Sequence, residues 1–93
     1  MEIKQEAVAG TLESSDMMVT VTPGSGGIKI ELDSSVEKYY GDSIRQTMHQ
    51  VLEELGVSNV QVHALDHGAL DCTIRARLTT ALRRAAAEQE AEK

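Results

Sequence analysis

Hydrophobic and polar positions follow a strand pattern in two segments of the first half of the chain. The run from Met17 to Thr22 is rich in β-branched residues, and Ile28 to Leu32 alternates apolar with charged side chains at a two-residue period. Between them, the residues from Pro23 to Gly27 favour a turn, and Pro23 stops strand pairing. The pattern predicts two strands that close as a hairpin.

A helical pattern follows Asp33-Ser34-Ser35, whose short polar side chains suit an N-cap. The apolar positions that share one stripe are Tyr40, Ile44, Met48, Val51, Leu52 and Leu55. Gly41-Asp42 interrupts the pattern, so the helix either restarts with Asp42 as its cap or continues through a weak point. We expect it to end at Gly56.

A third strand is predicted from Val57 to Ala64, with Val60 and Val62 on one face, before Asp66-His67-Gly68 breaks the pattern. A last helix begins near Ala69. Its single apolar stripe consists of Leu70, Ile74, Leu78, Ala81, Leu82 and Ala85.

The element order β-β-α-β-α predicts a small single α+β domain over residues 1–93. Because each helix has one apolar stripe, we expect a three-stranded mixed sheet with both helices on one face. A right-handed crossover makes the third strand parallel to the second if the two are neighbours. Residues 1–16 are expected to form a flexible N-terminal arm with at most a helical turn, and residues 88–93 a frayed C-terminal tail.

Composition narrows the classes of function. A chain of 93 residues leaves little volume for a deeply enclosed pocket, and a formal net charge of −6 disfavours nonspecific binding to nucleic acid or an anionic membrane. Cys72 is the only cysteine, so no intramolecular disulfide forms. There is no signal-peptide pattern and no apolar run of about 20 residues. We therefore expect a cytoplasmic protein that binds neither nucleic acid nor membrane.

Ser14 and Ser15 lie between Glu13 and Asp16, in a polar segment ahead of the first apolar run. Serines in such segments usually complete turns or are solvated. An exposed serine outside the core also meets the requirement for carrying a phosphoester-linked group. The residues by themselves do not choose between Ser14 and Ser15.

Three segments in the same order resemble the acyl carrier (gamma) subunit of bacterial citrate lyase. They are Gly10-Thr11-Leu12-Glu13-Ser14-Ser15-Asp16, Tyr40-Gly41-Asp42-Ser43-Ile44-Arg45, and the stretch from Gly68 to Leu78. The resemblance covers nearly the whole chain. It implies a single acyl-carrier domain that differs from the carriers of fatty acid synthesis, whose Asp-Ser-Leu motif does not occur here.

The resemblance further implies that Ser14 is esterified through phosphate to phosphoribosyl dephospho-coenzyme A, derived from 2'-(5''-triphosphoribosyl)-3'-dephospho-CoA. The thiol of that group bears acetyl and citryl thioesters while citrate is cleaved to acetate and oxaloacetate. The implied partners are an alpha subunit that transfers acyl groups, a beta subunit that cleaves the citryl thioester, a prosthetic-group transferase and an acetylating ligase. The chain itself is then noncatalytic, and it is unmodified when made without the modifying enzymes.

Basic residues concentrate on the last helix, at Arg75, Arg77, Arg83 and Arg84. Arg77 and Arg84 are seven residues apart and share a flank. One interpretation is that they form a solvated helix edge and pair with nearby glutamates. The other is that, together with Arg75, they bind the anionic prosthetic group or a partner subunit. The backbone N–H groups at Gly68 and Ala69 are a second candidate phosphate seat.

Two other classes of function remain open. A scaffold subunit without a cofactor would bind an acidic partner through the arginine-bearing helix. A thiol enzyme would use Cys72, which lies in the first turn of that helix, where the helix dipole favours a negative charge. His49, His63 and His67 have no metal-ligand spacing, so we expect no metal site.

Overall fold

The computed structural model describes residues 1–87, so the predicted tail at 88–93 lies outside the described residues. The elements in chain order are β1 (Ala7–Gly10), β2 (Met17–Pro23), β3 (Ile28–Ser34), α1 (Glu37–Glu54), β4 (Val60–Asp66) and α2 (Asp71–Ala86). No helix within the described range has both the length and the apolar character to cross a membrane.

The strands form one mixed sheet in the order β1-β2-β4-β3. β1 pairs antiparallel with β2, β2 pairs antiparallel with β4, and β3 pairs parallel with β4. The α+β class, the two helices and the parallel pairing across the α1 crossover are confirmed. The sheet has four strands and not the predicted three.

The additional strand comes from the segment predicted to be a free arm. Ala7–Gly10 pairs with β2, and Ile3 and Ala9 are only 6% and 5% exposed in the core. The backbone N–H groups of Lys4 and Gln5 both donate to the carbonyl of Ala85. The expectation of an arm outside the core is therefore wrong. A four-residue strand of small side chains carries too little alternation to be recognised.

The predicted hairpin of β2 and β3 is also wrong, because β4 lies between them. Crossing one intervening strand spans about 10 Å, and the four residues 24–27 reach roughly 13 Å when extended, so the same short segment permits either arrangement. In this position between β2 and β3, the inward side chains of β4 are almost wholly buried. The charged β3, with only half-buried inward residues, lies at the edge.

Both helices cover one face of the sheet, as expected. The fully buried side chains include Met17 and Val19 from β2, Met48 from α1 and Leu78 from α2. The opposite face is open to solvent and carries polar residues. Those lining its shallow centre include Thr20, Thr22, Lys29, Glu31, Gln61 and His63.

The predicted helical stripes are confirmed except at their first members, since Tyr40 is 59% exposed and Leu70 is 68% exposed. α1 runs through Gly41 without a restart. A Cβ there would lie 2.8 Å from Cγ of Glu37, whose carboxylate receives a 2.6 Å bond from Arg45. Gly41 therefore leaves room for this ion pair on the helix surface.

The predicted serine cap of α1 is wrong. Val36 is the N-cap residue and makes no side-chain capping bond, because Ser34 belongs to β3. The Ser34 hydroxyl instead accepts a hydrogen bond from the Val36 N–H at 3.1 Å, closing the turn between strand and helix.

Candidate functional site

The two serines lie in the connection between β1 and β2, residues 11–16, which we call the serine loop. Ser14 and Ser15 are both exposed. The loop reverses direction through Gly10, whose φ is 101°, and Ser15, whose φ is 63°. A Cβ at Gly10 would lie 1.8 Å from the carbonyl oxygen of Met17, so only glycine fits at this position.

The serine loop rests against residues 67–70, which connect β4 to α2. The Ser15 N–H donates to the carbonyl of His67 at 2.8 Å, and the His67 N–H donates to the carbonyl of Asp16 at 2.9 Å. These reciprocal backbone bonds continue the pairing of β2 with β4 beyond the ends of the strands. Ser14 is thereby presented at a defined end of the sheet, next to the start of α2.

Asp16 ties the serine loop together from within. Its carboxylate accepts a 2.6 Å hydrogen bond from the Thr11 hydroxyl and a 2.7 Å bond from the Met17 N–H. The Thr11 hydroxyl oxygen in turn accepts a bond from the Glu13 N–H at 3.2 Å. The first and last residues of the loop are therefore joined through one carboxylate, which is 9% exposed.

Arg77 of α2 completes this network from outside the loop. Its Nε and one terminal nitrogen donate to the two oxygens of Asp16 at 2.9 and 2.8 Å, a bidentate geometry. The hydrogen bond from Arg77, with those from Thr11 and the Met17 N–H, holds the pKa of Asp16 well below its ordinary value. Asp16 is thus a fixed anion whose charge is compensated by Arg77.

The other predicted arginines lie elsewhere. Arg84 shares the flank of Arg77, as the spacing predicts, and donates to the carbonyl of Val8 in β1 at 2.7 Å. Arg75 points to the other flank, where it pairs with Glu54 of α1 at 2.5 Å. The structure therefore brings Arg77 to the serine loop, places Arg84 further along β1, and leaves Arg75 against α1.

The predicted phosphate seat at Gly68 is not formed by free N–H groups. Those of Gly68 and Ala69 donate to the carboxylate of Asp66 at 3.2 and 3.0 Å. Asp66 is 1% exposed and also accepts a 2.7 Å bond from the Ser34 hydroxyl. The sequence pattern gave Asp66 no role beyond ending a strand. An aspartate directly after an alternating strand and before His-Gly was the available signal for a turn-stabilising carboxylate.

An apolar groove of about 410 Å³ borders Gly68, Ala69 and Leu70 in the connection between β4 and α2. It lies between the first turns of α1 and residues 67–70, and its lining includes Tyr40, Ile44, Leu70 and Ile74. The serine loop and this groove thus flank one connecting segment.

Ser14 has the properties that a covalent attachment point requires. It is exposed, and no group among residues 1–87 forms a hydrogen bond with its hydroxyl. Its oxygen is therefore available as a nucleophile, and the loop tip leaves room for a bulky phosphodiester. The chemistry of the site fits a prosthetic group joined through phosphate.

The other candidate residues, a cysteine and three histidines, are not held in a comparable network of hydrogen bonds in the part of the chain that the structure describes. Cys72 is exposed at the second position of α2, and no hydrogen bond to its thiol is present in the described range. His49, His63 and His67 are all exposed and lie on three different elements or connections. Among residues 1–87, no group of three or more metal-ligating side chains is placed to hold an ion.

Comparison with known proteins identifies the relatives of this chain. Residues 4–85 match the family model of acyl carrier proteins described as the malonate decarboxylase delta subunit. The citrate lyase acyl carrier protein of Streptococcus uberis is 58% identical over 86 residues, which cover 92% of this chain and 85% of that protein. The protein of the same name from Lactobacillus acidophilus is 51% identical over 90 residues, covering 97% and 93% of the two chains.

A solved structure has the same fold. One chain of a Pseudomonas malonate decarboxylase hetero-tetramer, crystallised with malonate, superposes with a TM-score of 0.75 at 20% identity, over 92% of this chain and 93% of that one. At this identity the similarity establishes the fold alone.

Proposed function

The chain belongs to the family of citrate lyase acyl carrier proteins, and from this premise we propose that it is the acyl carrier subunit of a citrate lyase complex. We further propose that Ser14 carries phosphoribosyl dephospho-coenzyme A through a phosphodiester bond. When bound, that group supplies a thiol on which acetyl and citryl groups are held as thioesters. The chain supplies the attachment point and the surface that presents it.

The exposed hydroxyl of Ser14 at the tip of a hydrogen-bonded loop is the observation that carries this proposal. In the attachment step, the Ser14 oxygen forms a bond to the phosphorus next to the ribose of the triphosphoribosyl donor. The bond from that phosphorus to the departing diphosphate breaks, and diphosphate leaves with the electron pair. The hydroxyl proton passes to a base of the transferase, so the carrier needs no base of its own.

The choice of Ser14 over Ser15 rests first on the register of the resemblance. The loop geometry supports it. The N–H of Ser15 donates to the carbonyl of His67, and its φ is 63°. The backbone of Ser15 therefore fixes the loop to the rest of the domain and serves as its anchor. Ser14 precedes this anchor and is the better placed of the two to enter a transferase active site.

A carrier needs to deliver its cargo to several active sites in turn. A tether raises the effective concentration of a bound intermediate at each site, so the thioester does not diffuse away between steps. We propose that the alpha subunit, the beta subunit, the prosthetic-group transferase and the acetylating ligase take turns at this end of the molecule, in the cytoplasm. The carrier itself is noncatalytic.

The scaffold alternative receives less support from the geometry. It requires the arginines of α2 to be available to an acidic partner. Three of the four are engaged within the chain, Arg75 with Glu54, Arg77 with Asp16 and Arg84 with the Val8 carbonyl. An acidic partner would have to displace these contacts.

Intact-mass measurement tests the proposed attachment. The unmodified chain is incubated with the triphosphoribosyl donor and the transferase, alongside Ser14→Ala and Ser15→Ala. We expect wild type and Ser15→Ala to gain the mass of one phosphoribosyl dephospho-coenzyme A group and Ser14→Ala to gain none. Transfer to Ser14→Ala, or no transfer to the wild-type chain, would contradict the proposal.

A further inference from the structure

We infer that Asp16 and Arg77 are positioning residues for prosthetic-group attachment, because they hold the serine loop in the conformation that the transferase recognises. This inference rests on the proposed function, since attachment at Ser14 is the reaction that is positioned. It assigns a role to an ion pair that contacts neither the Ser14 hydroxyl nor, by this account, the phosphorus under attack.

The Asp16–Arg77 pair closes the serine loop. Thr11 and Asp16 are its terminal residues, and their side chains meet at 2.6 Å across its base. Asp16 holds this contact only while its carboxylate keeps one orientation. The two bonds from Arg77, at 2.9 and 2.8 Å, fix that orientation from a separate element of the fold. Together with the Met17 N–H, Arg77 therefore holds the Asp16 side chain that closes this six-residue loop.

The serine loop is also bonded to the elements around it. Ser15 and Asp16 exchange backbone hydrogen bonds with His67, and Arg77 lies on the helix that follows His67 by one short connection. The loop is thus attached to both β4 and α2. Ser14 consequently occupies one position relative to the rigid domain, so the bound carrier already presents its hydroxyl oxygen in the geometry that the transfer step needs.

Arg77 also balances the negative charge of Asp16 close to Ser14. The donor brings several phosphates to Ser14, which lies two residues from Asp16. A carboxylate without its partner would repel those phosphates, whereas the carboxylate bound by Arg77 is compensated. Arg77 thereby acts both through geometry and through charge. A lysine at this position keeps the charge but loses the bidentate geometry, so it separates the two effects.

Arg75 provides a matched control on the same helix. It also forms an ion pair, and its side chain is 35% exposed against 38% for Arg77. Its partner Glu54 belongs to α1, away from the serine loop. The Glu54 side chain is 60% exposed against 13% for Asp16, so the Arg75 pair is the more solvent-screened of the two. Loss of the Arg75 pair therefore removes an ion pair from the same helix without touching the loop, and denaturation measures the difference in stability between the variants.

The test measures attachment to the unmodified carrier and not turnover of the loaded complex. Intact mass follows the transfer of the prosthetic group at varied carrier concentration. The carriers compared are wild type, Arg77→Gln, Arg77→Lys and Arg75→Gln. Denaturation measures the folded fraction of each variant, and the rates are corrected for it. We expect Arg77→Gln to lower kcat/KM for the carrier by about ten- to a hundredfold, with most of the loss in kcat. Arg77→Lys keeps the charge but loses the bidentate contact, so its value should fall between those of wild type and Arg77→Gln. Arg75→Gln should remain within about twofold of wild type.

Amide hydrogen exchange supplies a second readout. In Arg77→Gln, the N–H groups of Ser15, Asp16 and His67 should exchange faster, while those of central β4 keep their protection. Equal exchange and equal transfer kinetics in Arg77→Gln and wild type would overturn the inference and leave the proposed function intact. A general loss of protection that accounts for the rate loss would also overturn it. No transfer to the wild-type chain would overturn the proposed function and this inference with it.

Discussion

The hydroxyl of Ser34, the last residue of β3, donates a 2.7 Å hydrogen bond to the carboxylate of Asp66, the last residue of β4. The same carboxylate accepts the N–H groups of Gly68 and Ala69 ahead of α2. One buried side chain therefore joins the ends of two parallel strands to the segment on which the serine loop rests. We therefore expect the position of Ser14 to depend on this remote contact as well as on the loop itself.

Replacing Asp66 is expected to destabilise the fold. Asp66→Ala leaves two N–H groups and one hydroxyl without their acceptor, and we expect a loss of about 2–4 kcal/mol in the free energy of unfolding. Asp66→Asn retains one oxygen acceptor and should lose about half as much. Urea denaturation measures both. Asp33→Ala, at an exposed position of the same strand as Ser34, is the control, and an equal effect of Asp33→Ala and Asp66→Ala would contradict the assignment.

Gly10 should tolerate no side chain, for two separable reasons. Its φ of 101° disfavours other residues, and a Cβ would also collide with the Met17 carbonyl. Gly26 has a similar φ of 90°, but a Cβ added there would meet nothing within 4 Å. We expect Gly10→Ala to cost about 3 kcal/mol or more and Gly26→Ala about 1–2 kcal/mol. Thermal or chemical denaturation measures both losses. Equal losses in the two variants would show that the collision of a Cβ at Gly10 with the Met17 carbonyl adds no cost.

The ion pair of Asp16 predicts a specific acid sensitivity. The pKa of Asp16 is lowered in the folded state, chiefly by the hydrogen bond from Arg77, so the unfolded chain binds more protons at this residue. Its stabilising contribution is complete above the unfolded pKa of about 3.9 and is lost as the pH falls towards the lower folded pKa.

The measurement is the free energy of unfolding of wild type and Asp16→Asn between about pH 7 and pH 2. The advantage of wild type over Asp16→Asn should be constant above about pH 5 and shrink steadily below about pH 4. A difference that does not change with pH in the acid range would mean that the pKa of Asp16 is not lowered.

Core packing predicts different costs for two leucines near or within α2. Leu78 is fully buried, and Leu78→Ala should cost about 2–5 kcal/mol in the free energy of unfolding. Leu70 is 68% exposed, although the helical spacing assigns it to the same stripe, and Leu70→Ala should change stability by less than about 0.5 kcal/mol. Denaturation of the two variants checks the boundary of the core at this end of the helix.

The long elements could be predicted from the sequence because their periodicity is strong. The stripe that includes Ile74 and Leu78 defines α2, and the alternation at Val60 and Val62 defines β4. The order of the strands could not be predicted in this way. It depends on which strand is paired with neighbours along both of its edges. A four-residue connection permits both a hairpin and a crossing over one strand.

The same difference between local and long-range features applies to the candidate site. The motif around Ser14 is local, so the sequence could direct attention to this serine, and the structure shows that it is exposed. The pairing of Asp16 with Arg77 joins residues 61 positions apart, and the pattern gave no reason to connect them. The role of Asp66 was missed because the Asp-His-Gly pattern signals a turn but does not show that the aspartate is buried and accepts the N–H groups of Gly68 and Ala69.

The central claim is that Ser14 is the covalent attachment point through which the carrier serves citrate cleavage. Its most direct test is citrate turnover by a complex reconstituted from matured carrier, alpha and beta subunits and acetylating ligase, with wild type, Ser14→Ala and Ser15→Ala compared at equal folded concentration. The account predicts that Ser15→Ala supports turnover and that Ser14→Ala reduces it to the background without carrier. Turnover with Ser14→Ala at the wild-type rate would contradict it.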